Sequence, residues 1–208
     1  EYLENTEIFM RGPTGVKVYS LADVAPTAAD KKTEILTDML LTERVAMDEG
    51  REQFLITPTA LPEFHSNPKK GRCSYAGGSS RQALKWIQER VLRVAYKRMN
   101  AANIKPLGFA VPEPHKDGCP HIHAAFFIKP EHVDQFLKIL TDVQAEISRE
   151  YGIKYSLDVK TKVDLPEDKK EAKASSYCMK YVIKSFDDPA IAAWYSRDCG
   201  GEIRRCNR

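Results

Sequence analysis

Apolar residues recur along this chain in two periods, and the alternation between them predicts most of its elements. Ile35, Leu36, Met39, Leu40, Val45 and Ala46 follow helical spacing across residues 33–49, with Gly50 placed as a C-cap. Residues 53–57 form a compact apolar run that reads as a buried strand, stopped by Pro58 and Pro62. A second helix is predicted from a Ser79 or Ser80 cap to about Asn103, carrying Leu84, Ile87, Val91, Val94 and Ala95 on one face. Lys85, Arg90, Arg93, Lys97 and Arg98 lie mostly off that face and read as a solvated helix surface. Residues 107–111 and the apolar run that holds His121 and His123 and continues to Ile128 read as two strands of a hairpin, with Lys116-Asp117-Gly118 in the turn between them.

After the hairpin, Pro130-Glu131 opens a helix in which Val133, Phe136, Leu137, Leu140, Val143 and Ile147 hold phase until Tyr151-Gly152. Tyr155, Leu157, Val159, Thr161 and Val163 alternate with polar residues as a half-buried strand, and Pro166-Glu167-Asp168 starts a last helix. Residues 1–32 are mixed, with a short β-like stretch at 16–19, and read as an arm or accessory segment; residues 187–208 read as a tail without a clear pattern. The order helix, strand, helix, two adjacent strands, helix, strand, helix predicts an α+β fold with an antiparallel or mixed sheet covered by helices, rather than a doubly wound parallel sheet.

Composition narrows the classes of function. The 208 residues suffice for one large domain, or a domain with appendages. With 32 basic and 29 acidic residues the net charge is only +3, so any polyanion site must come from local clustering. The loop of residues 58–80 holds such a cluster in Lys69, Lys70 and Arg72, and its length marks it as functional or disordered. The five cysteines are scattered without a Cys-x-x-Cys, which argues against a disulfide framework or a structural zinc site and for a reducing cytosol. No apolar run is long enough for a bilayer, the N-terminal stretch lacks the charged-then-apolar pattern expected of a signal peptide, and no glycine-rich nucleotide motif occurs. The chain begins at Glu1 rather than Met, as an excised part of something larger would.

Two constellations carry chemistry. His121 and His123 are two apart on a strand, so both imidazoles project from one face and can chelate a metal. A hairpin would return Glu113 to them as a carboxylate ligand, with His115 as a competitor for that place. Such a set leaves coordination positions open for substrate; Zn, Mn and Fe fit it, and Mg fits if the substrate supplies phosphate oxygens. On the last helix Tyr177, Lys180, Tyr181 and Lys184 fall on one face, while Cys178, Met179, Val182, Ile183 and Phe186 form an opposite apolar face. Phenols are poor nucleophiles near neutrality, and neighbouring ammonium groups stabilise the phenolate. Two phenols one turn apart suit two successive attacks.

Taken together, the run from Glu113-Pro114-His115-Lys116-Asp117-Gly118 through Pro120-His121-Ile122-His123, followed by Tyr177-x-x-Lys180-Tyr181, resembles the HUH endonuclease superfamily. Within it, these residues are similar to the replication gene A proteins of tailed and single-stranded DNA phages, whose first strand motif Phe54-Leu55-Ile56-Thr57-Pro58-Thr59 also resembles. The likeness covers about residues 35–186; it departs at Ile122, where that family often has an aromatic, and in having no helicase-like region. The resemblance implies a central antiparallel HUH-type sheet flanked by helices, with an accessory segment at 1–32, an endonuclease domain at 33–186 and a tail at 187–208.

It further implies a site- and strand-specific DNA nickase and ligase that initiates rolling-circle replication. His121, His123 and Glu113 would hold a divalent metal, Mg or Mn; Tyr177 or Tyr181 would attack to give a 5′-phosphotyrosine; and Lys180 would stabilise developing charge. Lys69, Lys70, Arg72 and Lys184 are the candidate DNA contacts. Single-stranded origin DNA, a host helicase and a host polymerase are the implied partners, in the bacterial cytoplasm and away from membranes. A transposase or relaxase, a non-catalytic single-strand binding module and a metal hydrolase with bystander tyrosines are the competing classes.

Overall fold

A computed structural model of the chain describes residues 2–68, 73–161, 174–199 and 204–206. Two compact units divide the chain between Ile35 and Leu36. The first holds α1 (Tyr2–Asn5), the antiparallel hairpin β1 (Glu7–Gly12) and β2 (Gly15–Ser20), and α2 (Leu21–Val24). Only the second hairpin strand is visible in the sequence pattern. Phe9, Met10, Val16 and Val18 are all exposed on this two-stranded ribbon, so neither strand shows the apolar-in, polar-out alternation of a half-buried sheet. Helix α3 (Ala28–Asp48) begins ahead of the expected Thr33, because Thr27 and Asp30 exchange side-chain and backbone hydrogen bonds as a capping pair.

The second unit is built on a five-stranded sheet in the order β6-β3-β5-β4-β7, with every pairing antiparallel. Its strands are β3 (Glu52–Thr57), β4 (Leu107–Pro114), β5 (Pro120–Ile128), β6 (Asp158–Lys160) and β7 (Arg204–Cys206). β5 lies at the centre and is buried along its whole length. One sheet face supplies Phe54, Ile56, Ile122, Ala124, Phe126 and Ile128 to the main core. That core is closed by α4 (Ser80–Trp86), a π-helical turn (Ile87–Leu92), α5 (Arg93–Ala101) and α6 (Val133–Tyr151), through side chains such as Leu84, Val91, Met99, Phe136 and Val143. Ser79 and Gln82 form the capping box that starts α4, and Gly152 ends α6 in the left-handed conformation. The protein is thus α+β.

The opposite face of the sheet receives α7 (Ala174–Asp187), which is followed by α8 (Pro189–Ala193) and a π-helical turn (Trp194–Cys199). The expected start of α7 near Pro166 lies outside the described residues. Of the strand expected across residues 155–163, the described residues pair only at Asp158–Lys160, and residues 162 and 163 lie outside the described residues. Upstream, the N–H groups of Tyr155 and Leu157 donate to the Ser148 hydroxyl and the Gln144 carbonyl of α6, so they are not available to a ladder.

Two glycines shape the hairpin that carries His121 and His123. Gly108 has φ +152, and a Cβ there would meet the Ala125 carbonyl oxygen at 2.0 Å. Gly118 has φ +80 in the five-residue turn, closed by the His115 N–H on the Cys119 carbonyl at 2.8 Å. Gly108→Ala is therefore expected to destabilise the protein by about 3 kcal/mol or more, combining backbone strain with overpacking. Gly118→Ala, which meets no atom closer than 3.8 Å, is expected to cost about 1 kcal/mol. Urea denaturation of the two variants checks the order.

Candidate active site

Strand register assembles the three ligand candidates. In the β4–β5 ladder Glu113 pairs with His121 and Val111 with His123, so Glu113, His121 and His123 project from the same face. His121 Nε2 and His123 Nε2 lie 2.8 Å apart, and Glu113 Oε2 stands 3.3 Å from the first and 3.0 Å from the second. Ring nitrogens that close must share either a proton or a cation. Both histidines are buried, and Glu113 is partly so.

The electrostatics favour the ligand forms. Burial pushes the Glu113 carboxyl up, but hydrogen bonds and charge from His121 and His123 outweigh it and hold the group well below the usual carboxylate range. Burial, opposed by the hydrogen bond to Glu113, lowers the His123 pKa. An ionised carboxylate beside a neutral imidazole is what a hard or borderline divalent ion requires. Among the described residues these three form the one such group that could hold a metal.

Further groups orient the set. Thr57 Oγ1 lies 3.4 Å from His123 Nδ1, placing a β3 hydroxyl behind one imidazole. His121 Nδ1 is buried without a hydrogen-bond partner. His115 is not part of the triad: its ring packs beside His121 at 4.2 Å between centroids. Burial, followed by repulsion from His121, pushes its pKa down to about 4.

Helix α7 brings both tyrosines onto this face. Tyr181 stacks on the His123 ring at 4.3 Å and 13°, and Tyr177 meets the same ring edge-on at 5.1 Å. The Tyr181 hydroxyl donates to that of Tyr177 at 2.9 Å. Lys184 Nζ lies 4.9 Å from the Tyr181 ring centroid and 3.4 Å from Glu113 Oε1, while Lys180 Nζ is 6.0 Å from the same centroid. Burial first, then the hydrogen bond to Tyr177 and the charge of Glu113, push the Tyr181 phenol far above its ordinary pKa. Deprotonating it thus calls for added positive charge.

The helix presents different faces from those its sequence predicts. Tyr181 is buried with Cys178 and Val182, whereas Ile183 is 39% exposed. The partner surface explains the rotation: the sheet face under α7 is partly imidazole, so an aromatic ring covers it and an aliphatic position turns to solvent. The start of α7 is held by the Ser175 hydroxyl donating to Glu43 of α3 at 2.7 Å and by the Ala174 N–H donating to Gln53 at 3.2 Å.

The tail also reaches the site. Trp194 Nε1 donates to the Gly118 carbonyl at 3.0 Å, and the Tyr195 hydroxyl donates to the Pro112 carbonyl. The two aromatics in an otherwise plain segment were the available signal. Of the other candidates, Lys184 lies at the triad, whereas Lys69, Lys70 and Arg72 fall outside the described residues. Cys73 and Cys119 are free thiols, and burial pushes the Cys119 thiol up to about 12, far from a reactive thiolate.

Comparison with known proteins names the family. Residues 2–189 match the bacteriophage replication gene A protein (GPA) family, and the chain belongs to it. The replication protein of Haemophilus phage HP1 is 27% identical over 162 residues, covering 78% of this chain and 20% of that protein. The replication gene A protein of Escherichia phage P2 is 25% identical over 227 residues, covering 98% of this chain and 28% of that protein. The probable replication protein P12 of Pseudoalteromonas phage PM2 is 24% identical over 178 residues, covering 85% and 27%. The chain therefore spans between a fifth and about a quarter of the length of these relatives. No solved structure matches. Among the described residues no helix is long and apolar enough to cross a membrane.

Removing the hydroxyl behind His123 tests the metal set. Thr57→Val is expected to weaken Mn binding by about tenfold or more, and Thr57→Ser to retain it, as read by isothermal titration calorimetry.

Proposed function

We propose that this chain is a site- and strand-specific single-stranded DNA endonuclease and ligase of the HUH type that initiates rolling-circle replication. One observation carries the reading: Tyr177 and Tyr181 pack over the imidazole of a Glu113, His121 and His123 triad. A transposase or relaxase would use the same chemistry. The placement of both phenols against the triad disfavours the classes in which the tyrosines or histidines are bystanders.

A divalent cation held by Glu113, His121 and His123, Mg or Mn in this proposal, would polarise the scissile phosphate and orient it. The residues of the chain do the rest. The phenolic oxygen of Tyr177 or Tyr181 forms a bond to phosphorus, while the bond from phosphorus to O3′ breaks with its electron pair left on O3′. The phenol releases its proton to solvent, and O3′ takes one up. A 5′-phosphotyrosine and a free 3′-OH result, and the second tyrosine can repeat the attack when the strand end returns. Lys184, against both Glu113 and the Tyr181 ring, and Lys180, one turn before it, supply the positive charge that a buried phenolate needs.

Lys69, Lys70, Arg72 and Lys184 are the proposed phosphate contacts. Host helicase and polymerase would act on the exposed 3′-OH in the cytoplasm of a bacterial host. HUH geometry also gives the proposed division into an accessory segment (1–32), a catalytic domain (33–186) and a tail (187–208).

The test incubates the protein and Mn with labelled single-stranded DNA tiling its own replicon, and looks for a covalent adduct on a denaturing gel. An adduct from at least one tile is expected, lost with chelator and with His121→Ala. Tyr177→Phe and Tyr181→Phe should each leave residual adduct and together abolish it. Full adduct in the double variant, or none from any tile with the unaltered protein, would overturn the proposal.

A further inference from the structure

The end of the sheet remote from the triad is cationic. Glu52 pairs with Ile128 in the β3–β5 ladder, and Leu107 with Phe127 in the β4–β5 ladder. Carried one or two residues outward, these registers bring Arg51, just before β3, and Lys105, just before β4, level with Lys129, just after β5. Three adjacent strands thus each end in a cation. Lys129 stands six residues beyond His123, so about 20 Å of extended chain separates this row from the triad.

A cavity of about 280 Å³ opens at that end, lined by Arg51, Asn103, Lys105, Lys129 and His132. Among the described residues no carboxylate and no apolar side chain lines it. Arg51 is built into the wall. Its side chain is only 7% exposed, its Nη1 donates to the Lys105 carbonyl at 2.7 Å and the Phe127 carbonyl at 3.4 Å, and its Nε donates to Glu49 at 2.6 Å. Among the described residues Glu49 is the one carboxylate ion-paired to this group, and no partner engages Arg51 Nη2. Asn103, the one described non-glycine residue with a positive φ, at +56, adds an amide to the wall. In a chain with a net charge of only +3, gathering these cations around one small cavity costs repulsion that an anion would relieve.

The donor set defines the anion. A guanidinium, two ammonium groups, an amide and an imidazole all offer N–H donors, which suits a compact oxyanion with several acceptor oxygens and more than one charge. The volume falls just below the range of about 300–1,000 Å³ typical of drug-sized ligands, and His132 supplies the single ring, so the walls offer little to a base. We infer that this cavity binds a phosphate group, at a site separate from the triad and without need of its metal. The group comes either free, as in pyrophosphate, or from a nucleic-acid backbone; the cations meet the same oxyanion in both. Nothing about this site depends on the nickase reading.

The experiment titrates the full chain, without added metal, with pyrophosphate at constant ionic strength in a calorimeter. Saturable binding is expected. Lys105→Gln and Lys129→Gln, both at exposed positions where folding is not at stake, should each weaken it by about tenfold or more, the loss typical of one charge-assisted hydrogen bond. Lys85→Gln combined with Lys154→Gln, which removes two exposed charges elsewhere, should change it far less, and His121→Ala should leave it intact. A labelled single-stranded oligonucleotide, titrated at several salt concentrations, identifies the source. If the Lys105→Gln/Lys129→Gln double variant lowers the slope of log affinity against log salt by about 0.7 or more, the backbone occupies the site. If it abolishes pyrophosphate binding and leaves that slope unchanged, the occupant is a free phosphate.

Absence of saturable pyrophosphate binding together with an unchanged slope would overturn the inference. So would pyrophosphate binding that survives both cavity lysine variants, falls equally in the Lys85→Gln/Lys154→Gln control, or is lost with His121→Ala. None of these outcomes bears on adduct formation, so the two proposals fail separately.

Discussion

The antiparallel register of β4 and β5 is the constraint on which the site depends. Glu113 opposes His121 because the turn between Pro114 and Pro120 has five residues and closes through Gly118 in a left-handed conformation. Since side chains alternate faces, a slip of one residue would send both imidazoles into the core and Ile122 out of it. The core resists that slip: Ile122, Ala124, Phe126 and Ile128 are buried on the opposite face from the histidines. Packing on one side of the sheet thus fixes the chemistry on the other.

The second constraint is electrostatic. A His123 whose pKa is lowered, a Glu113 held below the usual carboxylate range and a reluctant phenol at Tyr181 share a small, partly dry volume whose nearby ammonium groups are Lys184 and Lys180. Each preference has the same physical root, since burial penalises charge and only close partners offset it. Protonation of the site, attraction for a cation and activation of a phenol are therefore coupled.

Much of this was legible in the chain. Compact apolar runs locate β3 and β5, which are buried through their centres, and the 3.6 period locates α4, α6 and the described part of α7. Spacing alone places His121 with His123, and turn chemistry brings in Glu113. What escaped has identifiable causes. Strand β1 lies in a thin ribbon that exposes Phe9 and Met10 and leaves no alternation to read. The rotation of α7 depends on its partner surface being imidazole, which no property of the helix itself encodes. Thr57 looks like any strand threonine until the β3–β5 register sets it behind His123. The role of the tail rests on two aromatic hydrogen bonds to distant carbonyls, invisible to any local pattern.

Those two bonds have a mechanical consequence. The segment that follows α7 grips the hairpin at Gly118 within the turn and at Pro112 in the strand that leads into it. At its other end α7 is tied to β3 through Gln53 and to α3 through Glu43. Helix α7 is therefore a strut pinned at both ends, not a lever hinged at one. Any lift of α7 from the sheet must pull on the hairpin tip or break the aromatic latch, so tyrosines and ligands shift together. In the proposed reaction, exchange of a strand between the two phenols would then have to occur by side-chain rotation and movement of the DNA within a nearly fixed frame.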